Sequence, residues 1–207
     1  MNLITDVTGV LLAGGKSRRM GEDKRFLQVG ERTLFDRSLS VLRALFHRVV
    51  IVIAQDSPPL ETEVPLFRDL VPDCGSLGGL YTGLKQAPTP YIFAVACDMP
   101  FLDARAIRYF TDRRREADVV MAELASQVHP MHAVYGQRCL PVLEAMIGVR
   151  ELKIQRILSD PSLRIRLVTE TDLNEVDPEG RSFLNVNTLS DLESARSIWI
   201  RQSDRAL

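Results

Sequence analysis

This sequence has few cysteines and almost no net charge, which argues against a disulfide-rich protein, a cysteine-ligated metal protein and a nucleic-acid-binding protein. Its 207 residues include only 3 cysteines. Cys74, Cys97 and Cys139 lie far apart and form no C-x-x-C pair, so we expect reduced thiols and neither a disulfide framework nor a cysteine-bound metal. The formal net charge is -1. The chain therefore lacks the broad positive surface that nucleic-acid binding requires.

Long apolar runs and targeting signals are also missing. The first six residues have neither a charged start nor an apolar core, and no later stretch is long and apolar enough to cross a bilayer. We therefore expect a cytoplasmic protein without membrane contact. The remaining composition is that of an ordinary globular protein, with 45% hydrophobic and 26% charged residues. This length suits a single domain over 1–207.

Short apolar runs alternate along the chain with amphipathic segments, which predicts an α/β fold with a mostly parallel sheet and helices on both faces. The predicted strands cover 7–12, 49–54, 64–68, 91–96, 118–123, 129–135 and 164–169. The predicted helices cover 33–46, 78–87, 103–116, 137–147, 150–158 and 190–202, the last opened by a capping box from Ser190 to Glu193. The less regular range 123–185 is the expected location of a substrate-specific, acceptor-side lobe.

The most informative segment is 12–24, Leu-Ala-Gly-Gly-Lys-Ser-Arg-Arg-Met-Gly-Glu-Asp-Lys, directly after the first apolar run. Glycines let main-chain N–H groups approach an anion, and basic side chains neutralise it, which suits a polyphosphate. A Walker A loop would need glycine where the chain has Val10, and the dinucleotide motif G-x-G-x-x-G does not fit either. The remaining alternative is a solvated basic loop, which rarely combines three glycines with a preceding strand.

Asp98 follows the predicted strand 91–96 directly, and the Met99-Pro100 pair after it prevents the strand from continuing. Ligands of parallel sheets bind beyond the carboxyl ends of the strands, so Asp98 is expected beside the glycine loop. There a carboxylate can bind Mg²⁺ together with substrate phosphates. The alternative is a turn aspartate that caps the next helix.

Other polar positions give weaker signals. Asp69 and the glycines that follow it can admit a base or a ribose, although turn chemistry alone also explains them. Asn185 and Asn187 precede the last helix, where amides either cap a turn or contact a ligand. His129 and His132 stand at a strand start, and we expect a structural role for both.

In this order the landmarks resemble the molybdenum cofactor guanylyltransferase family, within the nucleotidyltransferases that share this loop type. The resemblance spans residues 10–193 and implies a Rossmann-like fold of the nucleotide-diphospho-sugar transferase type. It also implies transfer of GMP from MgGTP to the phosphate of the molybdopterin cofactor, with release of pyrophosphate. The matching pieces are Leu12-Ala-Gly-Gly15, Arg19-Met-Gly21, Asp23-Lys24, Asp69, Gly75-x-Leu-Gly-Gly79, Cys97-Asp98-Met-Pro100 and Asn185-Val-Asn-Thr188.

The resemblance also implies roles for individual residues. Catalysis would rest on Lys24, Arg19 and Asp98, with Asp98 as the Mg²⁺ ligand, and Asn185 and Asn187 would contact the acceptor or the metal. The implied nucleotide site consists of Leu12, Ala13, Gly14, Gly15, Lys24, Gln55, Asp69, Gly75 and Asp98.

Some positions depart from the family pattern or match it loosely. Gln55 stands where the family often has asparagine, and 123–180 matches only around His129-Pro130. A sibling enzyme that uses CTP, a transferase with another acceptor and a non-catalytic nucleotide-binding module therefore stay as alternatives. The implied partners are GTP, the molybdopterin cofactor, and proteins that deliver or receive that cofactor.

Overall fold

The computed structural model describes residues 2–14 and 23–204. A seven-stranded sheet forms the centre of the fold. Strand β8 runs antiparallel to both of its neighbours, and the other neighbouring pairs are parallel, which confirms the predicted mostly parallel sheet. In spatial order the strands are β5 (Leu66–Arg68), β4 (Phe46–Ile53), β1 (Ile4–Leu12), β6 (Tyr91–Ala96), β8 (Gln127–Gly136), β7 (Val119–Leu124) and β9 (Ile165–Val168).

Helices cover both faces of this sheet. One apolar core packs α1 (Leu34–Leu45) and α3 (Ala104–Asp112) against one face. A second core packs α2 (Gly75–Gln86) and α4 (Leu140–Gly148) against the other. The central strands are therefore buried on both sides, which explains the unbroken apolar run at the end of β4.

The last helix, α6 (Leu189–Asp204), packs on a hairpin of β2 (Gln28–Val29) and β3 (Arg32–Thr33). The sequence patterns did not predict this hairpin because two-residue strands are too short to show alternation. The remaining short helix, α5 (Glu170–Leu173), follows β9. Within the described residues, no helix is long and apolar enough to cross a membrane.

Side-chain caps hold the first turns of α1, α3 and α6. Thr33 Oγ1 accepts a hydrogen bond from Asp36 N at 3.0 Å and caps α1, and Asp103 caps α3. The predicted cap of the last helix was wrong. Thr188 Oγ1 accepts from Asp191 N at 3.2 Å, and Asp191 Oδ2 accepts from Thr188 N at 2.8 Å. The reciprocal pair therefore lies two positions earlier than Ser190 and Glu193, because Thr188 directly precedes the first helical residue.

Several predicted boundaries also shift. Helix α2 begins at Gly75, earlier than the predicted 78, and α3 ends at Asp112 rather than 116. The predicted helix 150–158 is a 3₁₀ segment, Ile154–Ser159. Within the range 123–185, both β8 and β9 join the central sheet. Short strands paired through long-range contacts are the features that sequence periodicity identifies least well.

Candidate active site

A cleft of about 1150 Å³ lies beyond the carboxyl ends of four adjacent strands. Its walls include residues 12–14 after β1, residues 54–58 after β4, Asp69 after β5, and Cys97 and Asp98 after β6. In parallel α/β sheets this edge is the usual location of bound ligands. The predicted nucleotide-site residues meet here. Those within the described ranges that line the cleft are Leu12, Ala13, Gly14, Lys24, Gln55, Asp69, Gly75 and Asp98.

Gly15 and Arg19, which the resemblance also places in the site, lie outside the described residues. The visible end of the glycine loop shows why glycine is required. A Cβ on Gly14 would lie 2.6 Å from Ala54 N. Only a residue without a side chain lets the loop after β1 approach the loop after β4 this closely.

Lys24, Asp98 and Asn187 form one polar cluster. Lys24 Nζ donates a hydrogen bond to Asn187 Oδ1 at 2.9 Å, and it lies 3.9 Å from Asp98 Oδ2. Val186 N also donates to Asp98 O at 2.8 Å, which fastens the segment before α6 to the end of β6. Asn185 is exposed, and no hydrogen bond among the described residues joins its side chain to this cluster. The structure therefore brings Asn187 to the predicted catalytic residues, but not Asn185.

The Asp98 carboxylate is buried on one side. Its Oδ1 atom is shielded from solvent and has no hydrogen-bond partner among the described residues. Burial raises the pKa of Asp98, and the neighbouring Lys24 ammonium opposes that rise. A buried carboxylate oxygen without a donor suits a bound cation. The described residues contain no group of three or more His, Cys, Asp or Glu side chains that could hold a metal by themselves. A cation at Asp98 would thus need further oxygen ligands, such as substrate phosphates.

Arg25 is a cleft residue that the sequence analysis missed. Its side chain is only 4% exposed, and its Nε atom donates to Asp23 Oδ2 at 2.9 Å. Asp23 also accepts from Arg25 N at 3.0 Å and caps the 3₁₀ turn Lys24–Phe26. A buried charge needs such a partner. The Asp23–Arg25 pair fixes the turn that presents Lys24. In the sequence, the only feature that could have indicated this pair is the order Asp23-Lys24-Arg25.

At the opposite end of the cleft, Asp69 is satisfied by the protein itself. The side chain is 7% exposed, and its Oδ1 accepts from Val71 N at 3.0 Å and from Thr82 Oγ1 at 3.1 Å. Burial raises the pKa of Asp69, and these two donors oppose the rise. Gln55 Nε2 donates to Asp69 O at 2.6 Å. A Cβ on Gly78 would lie 2.7 Å from Asp69 Oδ2, so this carboxylate is packed directly against α2.

Two groups that often act in catalysis are inert here. His132 is fully buried among the rings of Phe93, Phe110 and Phe183, and burial lowers its pKa to about 3. It stays neutral near pH 7 and packs the core, which confirms the expected structural role. Burial raises the pKa of the Cys97 thiol to about 12, so Cys97 supplies no thiolate.

Comparison with known proteins matches residues 9–165 to the family model of the MobA-like NTP transferase domain. The chain belongs to the MobA-like NTP transferase family. This makes it a nucleotidyltransferase, as the sequence resemblance indicated.

Two relatives of this MobA-like protein carry the name molybdenum cofactor guanylyltransferase. The protein from Syntrophotalea carbinolica is 35% identical over 199 residues, which cover 94% of this chain and 91% of that protein. The protein from Desulfosudis oleivorans is 36% identical over 193 residues, which cover 92% of this chain and 95% of that protein.

Solved structures share the fold of this MobA-like chain. Molybdopterin-guanine dinucleotide biosynthesis protein A from Archaeoglobus fulgidus superposes with a TM-score of 0.81 at 22% identity, over 94% of this chain and 100% of that one. The 2-C-methyl-D-erythritol 4-phosphate cytidylyltransferase from Thermus thermophilus superposes with a TM-score of 0.67 at 16% identity, over 93% and 98%. Both confirm the predicted nucleotidyltransferase type of α/β fold.

Proposed function

We propose that this chain is a molybdenum cofactor guanylyltransferase, which transfers GMP from GTP to the phosphate of the molybdopterin cofactor and releases pyrophosphate. The observation that carries the proposal is the cluster of Lys24, Asp98 and Asn187 in a strand-end cleft. The names of the relatives, which match over most of this chain, supply the identity of the nucleotide and the acceptor.

The charges along the cleft support one orientation of GTP. Lys24 lies beside the end of β6, whereas Asp56, Asp69 and Asp73 line the β4–β5 side. The ends of β5 and β6 are separated by three strand spacings, roughly 14 Å. Asp98 and Asp23 also line the Lys24 end, but the cleft-lining cations among the described residues, Lys24 and Arg25, lie beside them. The phosphates therefore belong at the end that carries positive charge, and the guanine at the end that contains Gln55 and Gly75.

In the proposed reaction an oxygen of the acceptor phosphate attacks the α-phosphorus of GTP. A new P–O bond forms, the bond between the α-phosphorus and the bridging oxygen breaks, and pyrophosphate leaves with that oxygen. Lys24 neutralises charge on the α-phosphate, while main-chain N–H groups of the glycine loop and Arg19 hold the β- and γ-phosphates. Catalysis of this kind rests on positioning and electrostatic stabilisation, so no covalent enzyme intermediate is needed.

Asp98 is the residue that would hold Mg²⁺, because its buried Oδ1 lacks a donor among the described residues. When bound, the ion supplies positive charge that neutralises phosphate oxygens. Asn187 orients the Lys24 ammonium. We propose that its amide also contacts the acceptor. For Asn185 we propose an acceptor contact from the exposed side of the same segment.

A cytoplasmic location suits this reaction. All three cysteines are free and buried, as expected of a chain that works where thiols stay reduced. Proteins that deliver the molybdopterin cofactor or receive the finished dinucleotide are the expected partners.

The deciding experiment measures pyrophosphate release from GTP, CTP and ATP, each with Mg²⁺ and molybdenum-loaded molybdopterin. We expect GTP to exceed the other two nucleotides by at least ~10² in kcat/KM, since sites that hydrogen-bond a base discriminate strongly. Equal or better use of CTP would identify a cytidylyltransferase. Nucleotide binding without any pyrophosphate release would identify a non-catalytic module.

A further inference from the structure

The turn that follows β4 is held by one side chain from the neighbouring strand. Arg68, the last residue of β5, donates from Nη1 to the carbonyl oxygens of Gln55 at 2.6 Å, Ser57 at 3.0 Å and Ala54 at 3.3 Å. Ser57 N closes turn 54–57 by donating to Ala54 O at 3.1 Å, whereas no main-chain donor among the described residues reaches the carbonyl oxygens of Gln55 and Ser57. Arg68 donates to these carbonyl groups, which in a sheet would accept hydrogen bonds from the N–H groups of a neighbouring strand.

A second set of bonds ties the same turn to Asp69. Gln55 Nε2 donates to Asp69 O at 2.6 Å, and directly before the turn Asp69 N donates to the carbonyl oxygen of Ile53, the last residue of β4, at 2.8 Å. Since the Gln55 amide donates through Nε2, its Oε1 atom is the one that can accept from a ligand. Ala54, Gln55 and Ser57 line the cleft, whereas Arg68 is not one of its lining residues.

We propose that Arg68 is a positioning residue for nucleotide selection, which fixes turn 54–57 so that the Gln55 amide presents an acceptor to the base. This inference rests on the proposed function, because it requires the base to lie at this end of the cleft. Guanine carries an N1–H and an amino group side by side on one edge, whereas adenine and cytosine each offer only an amino group beside an acceptor nitrogen. An acceptor fixed opposite both guanine donors would face the lone pair of the ring nitrogen in adenine or cytosine, so it favours guanine. A mobile turn would let the acceptor move to the amino group alone and lose that preference.

The variants Arg68→Ala and Arg68→Lys test this inference, with Arg43→Ala as the matched control. Arg43 is an exposed arginine of α1 that does not line the cleft. All three Arg68 bonds converge on a single nitrogen. Nη1 carries two N–H groups, so one of them is shared between two of the carbonyl oxygens. A lysine ammonium offers three donors from one nitrogen, so Arg68→Lys should retain most of the function.

The readouts are the Kd of GTP, CTP and ATP without acceptor, followed by KM and kcat of the complete reaction. For Arg68→Ala we expect the Kd and KM of GTP to rise about tenfold, because a hydrogen bond to the base would be weakened or lost. The preference for GTP over CTP should fall by a similar factor, while kcat at saturating GTP and the KM of the acceptor stay within about twofold. Arg68→Lys should recover most of the GTP preference, and Arg43→Ala should match the wild type.

Unchanged GTP affinity in Arg68→Ala, or an equal loss for all three nucleotides, would overturn the inference while the proposed function stands. A lysine variant as impaired as the alanine variant would also contradict it. If the wild-type chain itself bound no nucleotide, the inference and the proposed function would fail together. Thermal unfolding of each variant separates these outcomes from misfolding.

Discussion

Asp69 and Asp98 lie at opposite ends of the same cleft, and comparing them distinguishes a carboxylate that stabilises the fold from one that is available to a ligand. Both follow a parallel strand, and burial raises the pKa of both. The Asp69 carboxylate accepts hydrogen bonds from Val71 and Thr82, whereas Oδ1 of Asp98 has no partner among the described residues. Buried polar groups are normally satisfied, so a buried oxygen without a donor indicates a ligand position. Residue type and burial alone would not have distinguished the two aspartates.

The largest expected effect comes from Asp98→Asn. We expect kcat/KM to fall by at least ~10²–10³, the typical loss when a preorganised electrostatic group is removed. The fold should persist, because no described donor loses its side-chain acceptor. Steady-state kinetics and thermal unfolding of the purified variant check both points. Near-normal turnover would rule out Asp98 as the proposed metal ligand.

Lys24→Ala tests the same end of the cleft by removing the Lys24 ammonium instead of the Asp98 carboxylate. We expect a loss of about 10²-fold in kcat/KM for GTP, since the ammonium faces both Asp98 and Asn187. The matched control is Lys16→Ala, a second lysine of the glycine loop that is not one of the matching pieces of the family resemblance, which should change the rate far less. A larger loss for Lys16 would favour the Walker-type loop that the spacing excluded.

Asp69→Ala tests the opposite end of the cleft, where we expect the carboxylate to stabilise the fold. Val71 N and the Thr82 hydroxyl lose their acceptor in this variant, which should cost about 1–3 kcal/mol of unfolding free energy. Asp69→Asn is the control, because its Oδ1 can still accept both bonds. Urea denaturation measures the difference. An alanine variant with wild-type stability and no activity would show that Asp69 acts on the ligand rather than on the fold.

The smallest expected effect is a pH dependence at Asp69. Because burial raises its pKa in the folded state, the folded chain binds this proton more tightly than the unfolded chain does. Stability relative to Asp69→Asn must then decrease as pH rises from about 4, the ordinary range of an aspartate, through the raised pKa. We expect the melting temperature of Asp69→Asn to rise relative to that of the wild type between about pH 4 and pH 7, as measured by thermal unfolding of both proteins across that range. A constant difference would show that the hydrogen bonds cancel the effect of burial.

The sequence itself determined the features that depend on neighbours along the chain. The apolar run of β4 and the spacing of Phe35, Leu39 and Leu42 in α1 identified these elements, because burial imposes a local period on them. The glycine loop and the Asp98-Met-Pro sequence placed the site at the carboxyl ends of the strands, since parallel strands share that edge.

Only the tertiary structure decided which of these residues meet. Lys24 and Asn187 are separated by 163 positions, and no local pattern predicts their hydrogen bond. The burial of Arg25, the satisfied carboxylate of Asp69 and the bonds from Arg68 to turn 54–57 also depend on contacts between elements. The physical reason is the strand order β5-β4-β1-β6, which places strand ends side by side that are far apart in the chain. Hydrophobic periodicity fixes which face of a strand is buried, but not which strand becomes its neighbour.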